Sequence, residues 1–313
     1  MINVLGTSRT NRVLVTGGGG FIGRHLVDAL VADGREIVVA SRDAAIRPGV
    51  RALKTDLAQP GEIARLLDEV RPTTVFNLAG RRRAAEDADT RTTLEINLLA
   101  AVNLARQATD RGASRIVLLG SAEEYGDQPM PVDEAVPLKP ASLYGASKAA
   151  MTLHALALRG LTGAPVVVVR PFSVYGPGAP RHMFLAEALD CAARGVPFQM
   201  TDGAQRRDFI YVADVVRGLL AAGSAPGAVG GVFNLGSGVS HSMRDVAEAL
   251  WRVSGTSAEL QIGARPKTIG DLKETCANID RARTILGWEP RVGLDEGLRL
   301  TWLAAKAASR GEA

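Results

Sequence analysis

The sequence predicts a doubly wound α/β fold, a parallel sheet covered by helices on both faces. Residues 12–170 alternate between short runs rich in Val, Ile and Leu and longer stretches with apolar residues on one helical face. A glycine-rich turn stands directly between the first such run and the first helix. The 313 residues leave room for about two domains, and 46% hydrophobic with 22% charged residues exclude a wholly disordered or fibrous chain.

The elements follow in order. Arg12–Thr16 is a strand whose Val13-Leu14-Val15 run suits burial on both faces. A helix over 20–33, strands over 36–40 and 50–54, and a helix over 63–70 come next. Residues 74–78 form a strand, 93–109 a long helix and Arg115–Leu119 a strand. A helix over 142–159 leads to the β-branched strand 165–170. Beyond Pro171 the regularity breaks. Residues 171–178 are turn-rich, 184–193 and 212–222 helical, 207–211 extended and 223–231 a Gly/Ala/Pro loop. A strand over 231–235, a helix over 242–252, a polar stretch to about residue 280 and a last helix from Leu294 complete the chain. The expected division is 1–170 and a smaller mixed α/β domain over 171–313, with about 207–240 returning to the first.

A net charge of +4 is far below the footprint of an obligate nucleic-acid binder, so no nucleic-acid partner is expected. The Arg81-Arg82-Arg83 cluster is either a solvated basic surface or faces an anion. Cys191 and Cys276 match no metal spacing and read as buried apolar fillers, and no metal site is expected. With no signal-peptide pattern and no apolar run near 18 residues, the expected location is the cytoplasm, off the membrane.

Thr16-Gly17-Gly18-Gly19-Gly20-Phe21-Ile22-Gly23 carries the sharpest signal. Gly17 permits the tight turn, Gly20 lets backbone approach a pyrophosphate, and Gly23 lets the helix pack closely on the sheet. The helix N-terminus then offers free N–H groups to the phosphates, so the first domain reads as a Rossmann-type dinucleotide site. Its second strand ends Ser41-Arg42-Asp43. A guanidinium at Arg42 suits the 2′-phosphate of NADP, the preferred cofactor; Asp43 would serve NAD if the strand ran longer. Asp56 either meets the adenine amine or is a plain loop aspartate.

Tyr144 and Lys148 lie four apart on one predicted helix. A phenol with a pKa near 10 is a poor base at neutral pH, and an adjacent ammonium favours its phenolate. Such a pair can pass a proton to or from a sugar hydroxyl or carbonyl while hydride moves to or from nicotinamide. Read alone, the pair is equally a solvated helix feature. Ser121, just past a strand end where open α/β sheets bind ligands, supplies a hydroxyl for the same oxygen. Asn97 is either a helix-surface residue or positions the lysine or a water.

With these motifs the chain resembles the extended short-chain dehydrogenases/reductases of the nucleotide-sugar epimerase/dehydratase/4-ketoreductase group, from about Arg12 to Pro290. Beside the glycine motif, the matching segments are Asn77-Leu78-Ala79-Gly80, Ser121 to Gly126, Tyr144 to Lys148, Arg170 to Pro177, Arg207 to Val212 and Leu286 to Pro290. The resemblance implies a catalytic set of Tyr144, Lys148 and Ser121. It implies cofactor contacts at Gly17, Gly20, Phe21, Ile22, Gly23, Leu57, Leu78, Ala79, Gly80, Asn97, Tyr144, Lys148 and Pro171, beside the candidates Ser41, Arg42 and Asp56 read from the residues themselves. For a nucleoside diphosphate sugar it implies contacts at Ser121, Arg207 and Arg265, with Glu123 at the position of the family's C5 base; Arg81, Ala122 and Ser173 are candidates at family positions where this sequence departs, and His182 is a candidate from its loop after Pro177. It also implies a homodimer paired through the helices over 93–109 and 142–159.

Three departures matter: Ser173 replaces a usual Asn, Arg81-Arg82-Arg83 a His-containing pattern, and Arg42 the acidic NAD residue. NADPH-dependent reduction of a nucleotide-linked 4-keto-6-deoxyhexose is the expected reaction, resting on Arg42 and the 121–126 segment. NAD-dependent C4 epimerisation is the alternative. A 4,6-dehydratase using Glu123 as C5 base, but lacking an acid at Ala122, and a non-catalytic NADP-binding module stay open behind them.

Overall fold

The computed structural model describes residues 12–42, 49–81, 90–266 and 272–309. The strands are β1 (Arg12–Thr16), β2 (Glu36–Ser41), β3 (Arg51–Lys54), β4 (Thr74–Asn77), β5 (Arg115–Leu119), β6 (Val166–Pro171) and β7 (Ser173–Tyr175). They continue with β8 (Phe198–Met200), β9 (Arg206–Tyr211), β10 (Val232–Leu235), β11 (Ser240–Ser242), β12 (Leu260–Ile262) and β13 (Glu274–Thr275). The α-helices are α1 (Phe21–Ala32), α2 (Pro60–Val70), α3 (Thr90–Leu94), α4 (Ala101–Asp110) and α5 (Leu143–Thr162). After them come α6 (Phe184–Arg194), α7 (Val212–Ser224), α8 (Met243–Ser254), α9 (Asp280–Leu286) and α10 (Leu294–Ser309).

A seven-stranded sheet runs in the order β10-β6-β5-β4-β1-β2-β3, the doubly wound arrangement the alternating pattern predicts. β1 pairs in parallel with β2 and β4, and the ladders β2–β3 and β4–β5 are parallel too. The strand order reverses about β1, the kind of switch point where open α/β sheets bind ligands. Register makes this edge useful: Thr16 lies opposite both Ala40 and Asn77. The glycine turn, Ser41 and Leu78 therefore leave the sheet side by side. Val13, Leu14, Val15, Val38, Val39, Val75 and Val117 are wholly buried, as strands covered on both faces require.

Contacts group the described residues into two compact units. The first holds those up to Leu119, with Ala150–Val168 and Val229–Gly231; the second holds Gly120–Ala149, Val169–Ala228 and those from Val232. This partition differs from a division at residue 170, because the segment after β5 and the first turns of α5 group with the second unit. Within that unit β7 and β11 flank β9, which also carries β13, and β12 pairs with β8. Phe198, Met200, Met243, Val246, Leu250 and Leu298 form its core.

Three local expectations change. The helix expected over 93–109 is built from α3, a π-helical stretch Glu95–Ala100 and α4. Residues 171–178 contain β7, and the polar stretch contains β12 and β13 followed by α9. Elements of two to seven residues are too short to display a period. Among the described residues, no helix is long and apolar enough to cross a membrane.

Candidate active site

The first unit carries the glycine turn expected to hold a dinucleotide. Gly17 has φ +70°, and a Cβ there would lie 2.6 Å from the Ala79 nitrogen and 2.7 Å from the Leu78 carbonyl carbon. A Cβ at Gly23 would lie 2.1 Å from the Gly17 oxygen, so α1 can approach the turn only through glycine. Gly20 is different: its Cβ would meet only the Gly17 oxygen, at 3.2 Å. The protein itself makes a weaker demand for glycine at 20 than at 17 or 23, which fits a position kept bare for a ligand. Gly20 provides no side-chain cap for α1, which opens with Phe21 and Ile22, the kind of helix N-terminus that suits an anion. Beneath the turn, the buried Thr16 hydroxyl donates to Asn77 Oδ1 at 2.5 Å, tying β1 to β4.

Ser41 closes β2 half-buried, and Arg42 follows it exposed. Asp43, the alternative NAD contact, lies outside the described residues. Asp56 Oδ1 accepts the Ala58 N–H at 3.0 Å, a turn-making role that leaves capacity on the carboxylate. Leu57 beside it is half-buried. Asn97 sits in the π-helical stretch, buried, and grips the backbone of Arg81 from both sides. Its Oδ1 accepts the Arg81 N–H at 2.7 Å and its Nδ2 donates to the Arg81 oxygen at 3.0 Å. It thereby fixes the segment Leu78-Ala79-Gly80-Arg81 that borders Gly17. Arg82 and Arg83 lie outside the described residues.

The second unit gathers the proton-transfer candidates. Ser121 caps a 3-10 turn, Ala122–Glu124. Its Oγ accepts the Glu123 N–H at 3.2 Å, while Glu124 Oε1 accepts the Ser121 N–H at 2.9 Å. This capping box fixes the backbone and Oγ of Ser121 and leaves the hydroxyl one proton to donate. Glu123 Oε2 accepts from the Ser142 hydroxyl at 2.8 Å, and Ser142 Oγ accepts the Gly145 N–H at 2.9 Å. Ser142 is thus the cap of α5, whose first turn carries Tyr144. A Cβ at Gly145 would lie 2.5 Å from the Glu123 oxygen, so this approach also depends on glycine.

Tyr144 is half-buried and Lys148 buried, with Nζ 5.9 Å from the Tyr144 ring centroid. Burial pushes Lys148 down to about 8, and the Glu124 carboxylate opposes that shift. At neutral pH the lysine is therefore still an ammonium. Pro171 ends β6 buried.

The expected substrate residues are more dispersed. Ser173 opens β7 half-buried, opposite Phe209 of β9. His182 is exposed in the turn before α6. Arg207 Nη1 donates to the Leu272 and Arg206 oxygens, each at 2.8 Å. Arg265 is exposed, bonded to both Glu187 carboxylate oxygens and placed over the Phe198 ring. Cys276 is buried; Cys191, expected to be buried too, is only half-buried on the amphipathic α6.

Sequence reasoning passed over three buried groups. Glu124 pairs with Arg170 at 2.8 Å, their side chains 0% and 2% exposed. Arg170 Nη1 donates to the Tyr125 hydroxyl at 2.8 Å, and that hydroxyl donates to Asn234 Oδ1 at 2.6 Å. Burial pushes the Tyr125 phenol up, which suits a structural donor and not a base. Asp208 accepts from the Ser237 N–H and hydroxyl and from the Gly238 and Ala277 N–H groups. Its burial pushes the carboxyl up while these bonds pull it back. For Arg170 and Asp208 the signal available in the sequence was a charged residue inside a β-rich run; Glu124 and Tyr125, in a short turn, offered none.

The model of the NAD dependent epimerase/dehydratase family matches residues 13–236. The chain is 33% identical to the UDP-glucose 4-epimerase of Mycolicibacterium smegmatis over 93% of this chain and 97% of that protein. It is also 33% identical to the dTDP-6-deoxy-L-talose 4-dehydrogenase (NAD(P)(+)) of Kitasatospora kifunensis, over 95% and 96% respectively. The UDP-glucose 4-epimerase of Thermus thermophilus, solved in complex with NAD, matches with a TM-score of 0.87 and 30% identity, over 95% of this chain and 99% of that one.

Proposed function

The chain belongs to the NAD-dependent epimerase/dehydratase family, and on that premise we propose that it interconverts the C4 epimers of a nucleoside diphosphate hexose, a uridine diphosphate sugar in the first instance. It is an NAD(P)-dependent nucleotide-sugar enzyme of the extended short-chain dehydrogenase/reductase type. Epimerisation takes precedence over the net 4-keto reduction that Arg42 suggests, because the near-full-length likeness to 4-epimerases supports it.

The observation that supports the reading is the gathering of Ser121, Tyr144 and Lys148 within one unit, Ser121 after β5 and the other two on α5. Tyr144 Oη takes the proton of the sugar C4 hydroxyl as that carbon is oxidised, and returns it when the carbon is reduced. Lys148, cationic at neutral pH, stabilises the phenolate between these steps. Ser121, its backbone fixed by Glu124, donates a hydrogen bond to the same sugar oxygen. Glu123, the residue a dehydratase would need at C5, is engaged by Ser142. A bound nicotinamide dinucleotide would supply the hydride acceptor and donor for C4. Gly17, Gly20 and Gly23 make room for its pyrophosphate, and Arg42 would meet a 2′-phosphate if NADP is the form used. Arg207 and Arg265 would take the sugar diphosphate, Arg265 by exchanging Glu187 for phosphate. The proposed assembly is a homodimer; Leu99 of the π-helical stretch and Leu153 of α5 are exposed apolar residues suited to it.

The test is incubation of purified protein with UDP-glucose or UDP-galactose without added cofactor. Interconversion, followed by NMR, with no net change in absorbance near ~340 nm supports epimerisation. Mass spectrometry of the released cofactor identifies NAD or NADP. Stoichiometric NADPH oxidation by a 4-keto sugar nucleotide, with no interconversion, favours the second reading, C4 ketoreduction.

A further inference from the structure

Glu124, which fixes the Ser121 backbone, is bonded on both carboxylate oxygens. Oε1 accepts the Ser121 N–H at 2.9 Å and Oε2 accepts from Arg170 Nε at 2.8 Å. Arg170 also lies over the Tyr125 ring, 4.6 Å from its centroid, and donates to the Tyr125 hydroxyl. The whole arrangement is buried. A buried ion pair is a weak source of stability, and apolar residues of similar volume often replace one at no cost. Stability alone therefore gives little reason for a carboxylate here. A neutral amide could accept one bond but not both, and an aspartate is one methylene too short to span Ser121 and Arg170 at once. Glu124 and Lys148 are both buried, and the Glu124 carboxylate opposes the downward push that burial gives Lys148. The Tyr144 ring lies beside Lys148 Nζ, Arg170 faces Glu124 from β6, Glu123 is the neighbour of Glu124 in the turn, and the buried Glu134 acts on Tyr125.

We propose that Glu124 is a positioning residue for the Ser121–Tyr144–Lys148 set, holding Ser121 through one oxygen, held by Arg170 through the other, and supplying the buried negative charge that compensates the Lys148 ammonium. The inference rests on the proposed roles of those three residues. It adds a fourth group that works through them and touches neither sugar nor cofactor.

Two variants separate charge from placement. Glu124→Gln removes the charge: kcat falls on the order of tenfold with KM nearly unchanged, and its alkaline limb moves down by about one pH unit. Glu124→Asp keeps the charge but loses the span: kcat falls to a similar extent while the pH profile stays in place. The Lys148 titration, followed by carbon NMR of ε-labelled lysine and assigned with K148M, needs no substrate. It reads Glu124 even if the C4 reaction is wrongly identified, whereas turnover of UDP-hexoses by the wild type reads the reaction. The expected midpoint is lower in E124Q and close to wild type in E124D. An unchanged Lys148 midpoint in folded E124Q, or wild-type kcat in E124D, overturns the assignment. If E124Q fails to fold, E124D decides, because it keeps the ion pair's charges.

Discussion

The Ser142 hydroxyl donates to Glu123 at 2.8 Å and accepts the Gly145 N–H at 2.9 Å, so one serine joins the turn after β5 to the first turn of α5. Ser121 and Tyr144 are thereby set on a shared frame within the second unit. A glutamine at 123 still accepts from Ser142. E123Q should keep C4 interconversion within about threefold, and wild-type protein in deuterated water should incorporate no deuterium at C5. Loss of turnover in E123Q together with C5 exchange in the wild type would point to dehydration instead. Ser142→Ala removes the cap and should cost about 1 kcal/mol in urea unfolding.

The glycines of the first turn should separate folding from binding. Gly23→Ala sets a Cβ 2.1 Å from the Gly17 oxygen and must push α1 away. A loss of about 1–3 kcal/mol in stability is expected, along with dinucleotide binding. Gly20→Ala meets protein only at 3.2 Å, so its melting temperature should stay near wild type while calorimetry shows weakened NAD(P)H binding. Equal destabilisation by both would remove the distinction.

Arg42 is exposed at the end of β2. Arg42→Ala should weaken NADPH binding on the order of tenfold, the loss of a charge-assisted phosphate contact, and leave NADH unaffected. An equal effect on both cofactors would exclude a 2′-phosphate role.

Lys148 links stability and activity with opposite signs. Its proton is held less tightly in the folded chain, near 8 against an ordinary 10.5. Between those values the unfolded chain binds the extra proton, so this group makes stability rise with pH across that window. Turnover needs the ammonium and should fall across the same range. K148M should flatten the stability rise in urea unfolding at pH 8 and pH 10 while abolishing turnover at both.

The doubly wound sheet was legible because strands covered on both faces leave continuous apolar runs, and the glycine turn because its spacing is a backbone requirement. Tyr144 and Lys148 were legible because a helix converts a spacing of four into a shared face. Glu123 and Glu124 show where sequence reading stops. They are neighbours in a 3-10 turn with no period, and the partner that buries Glu124 is Arg170, 46 positions away. Asn97 was ambiguous because its geometry depends on a π-helical turn that no pattern of apolar residues announces. Arg207 and Arg265 carry a charge that sequence can see, but the Leu272 oxygen and Glu187 that engage them come from elsewhere in the chain.

Asp208 has a consequence for the order in which the ribosome-borne chain can settle. Its carboxylate draws donors from 29 positions ahead, at Ser237, and from 69 ahead, at Ala277. Until that later stretch has emerged, sealing β9 would leave a carboxylate desolvated with part of its bonding missing, so a nascent second unit is better off open and hydrated. One buried acid thus makes the burial of β9 depend on backbone donors as far along the chain as Ala277.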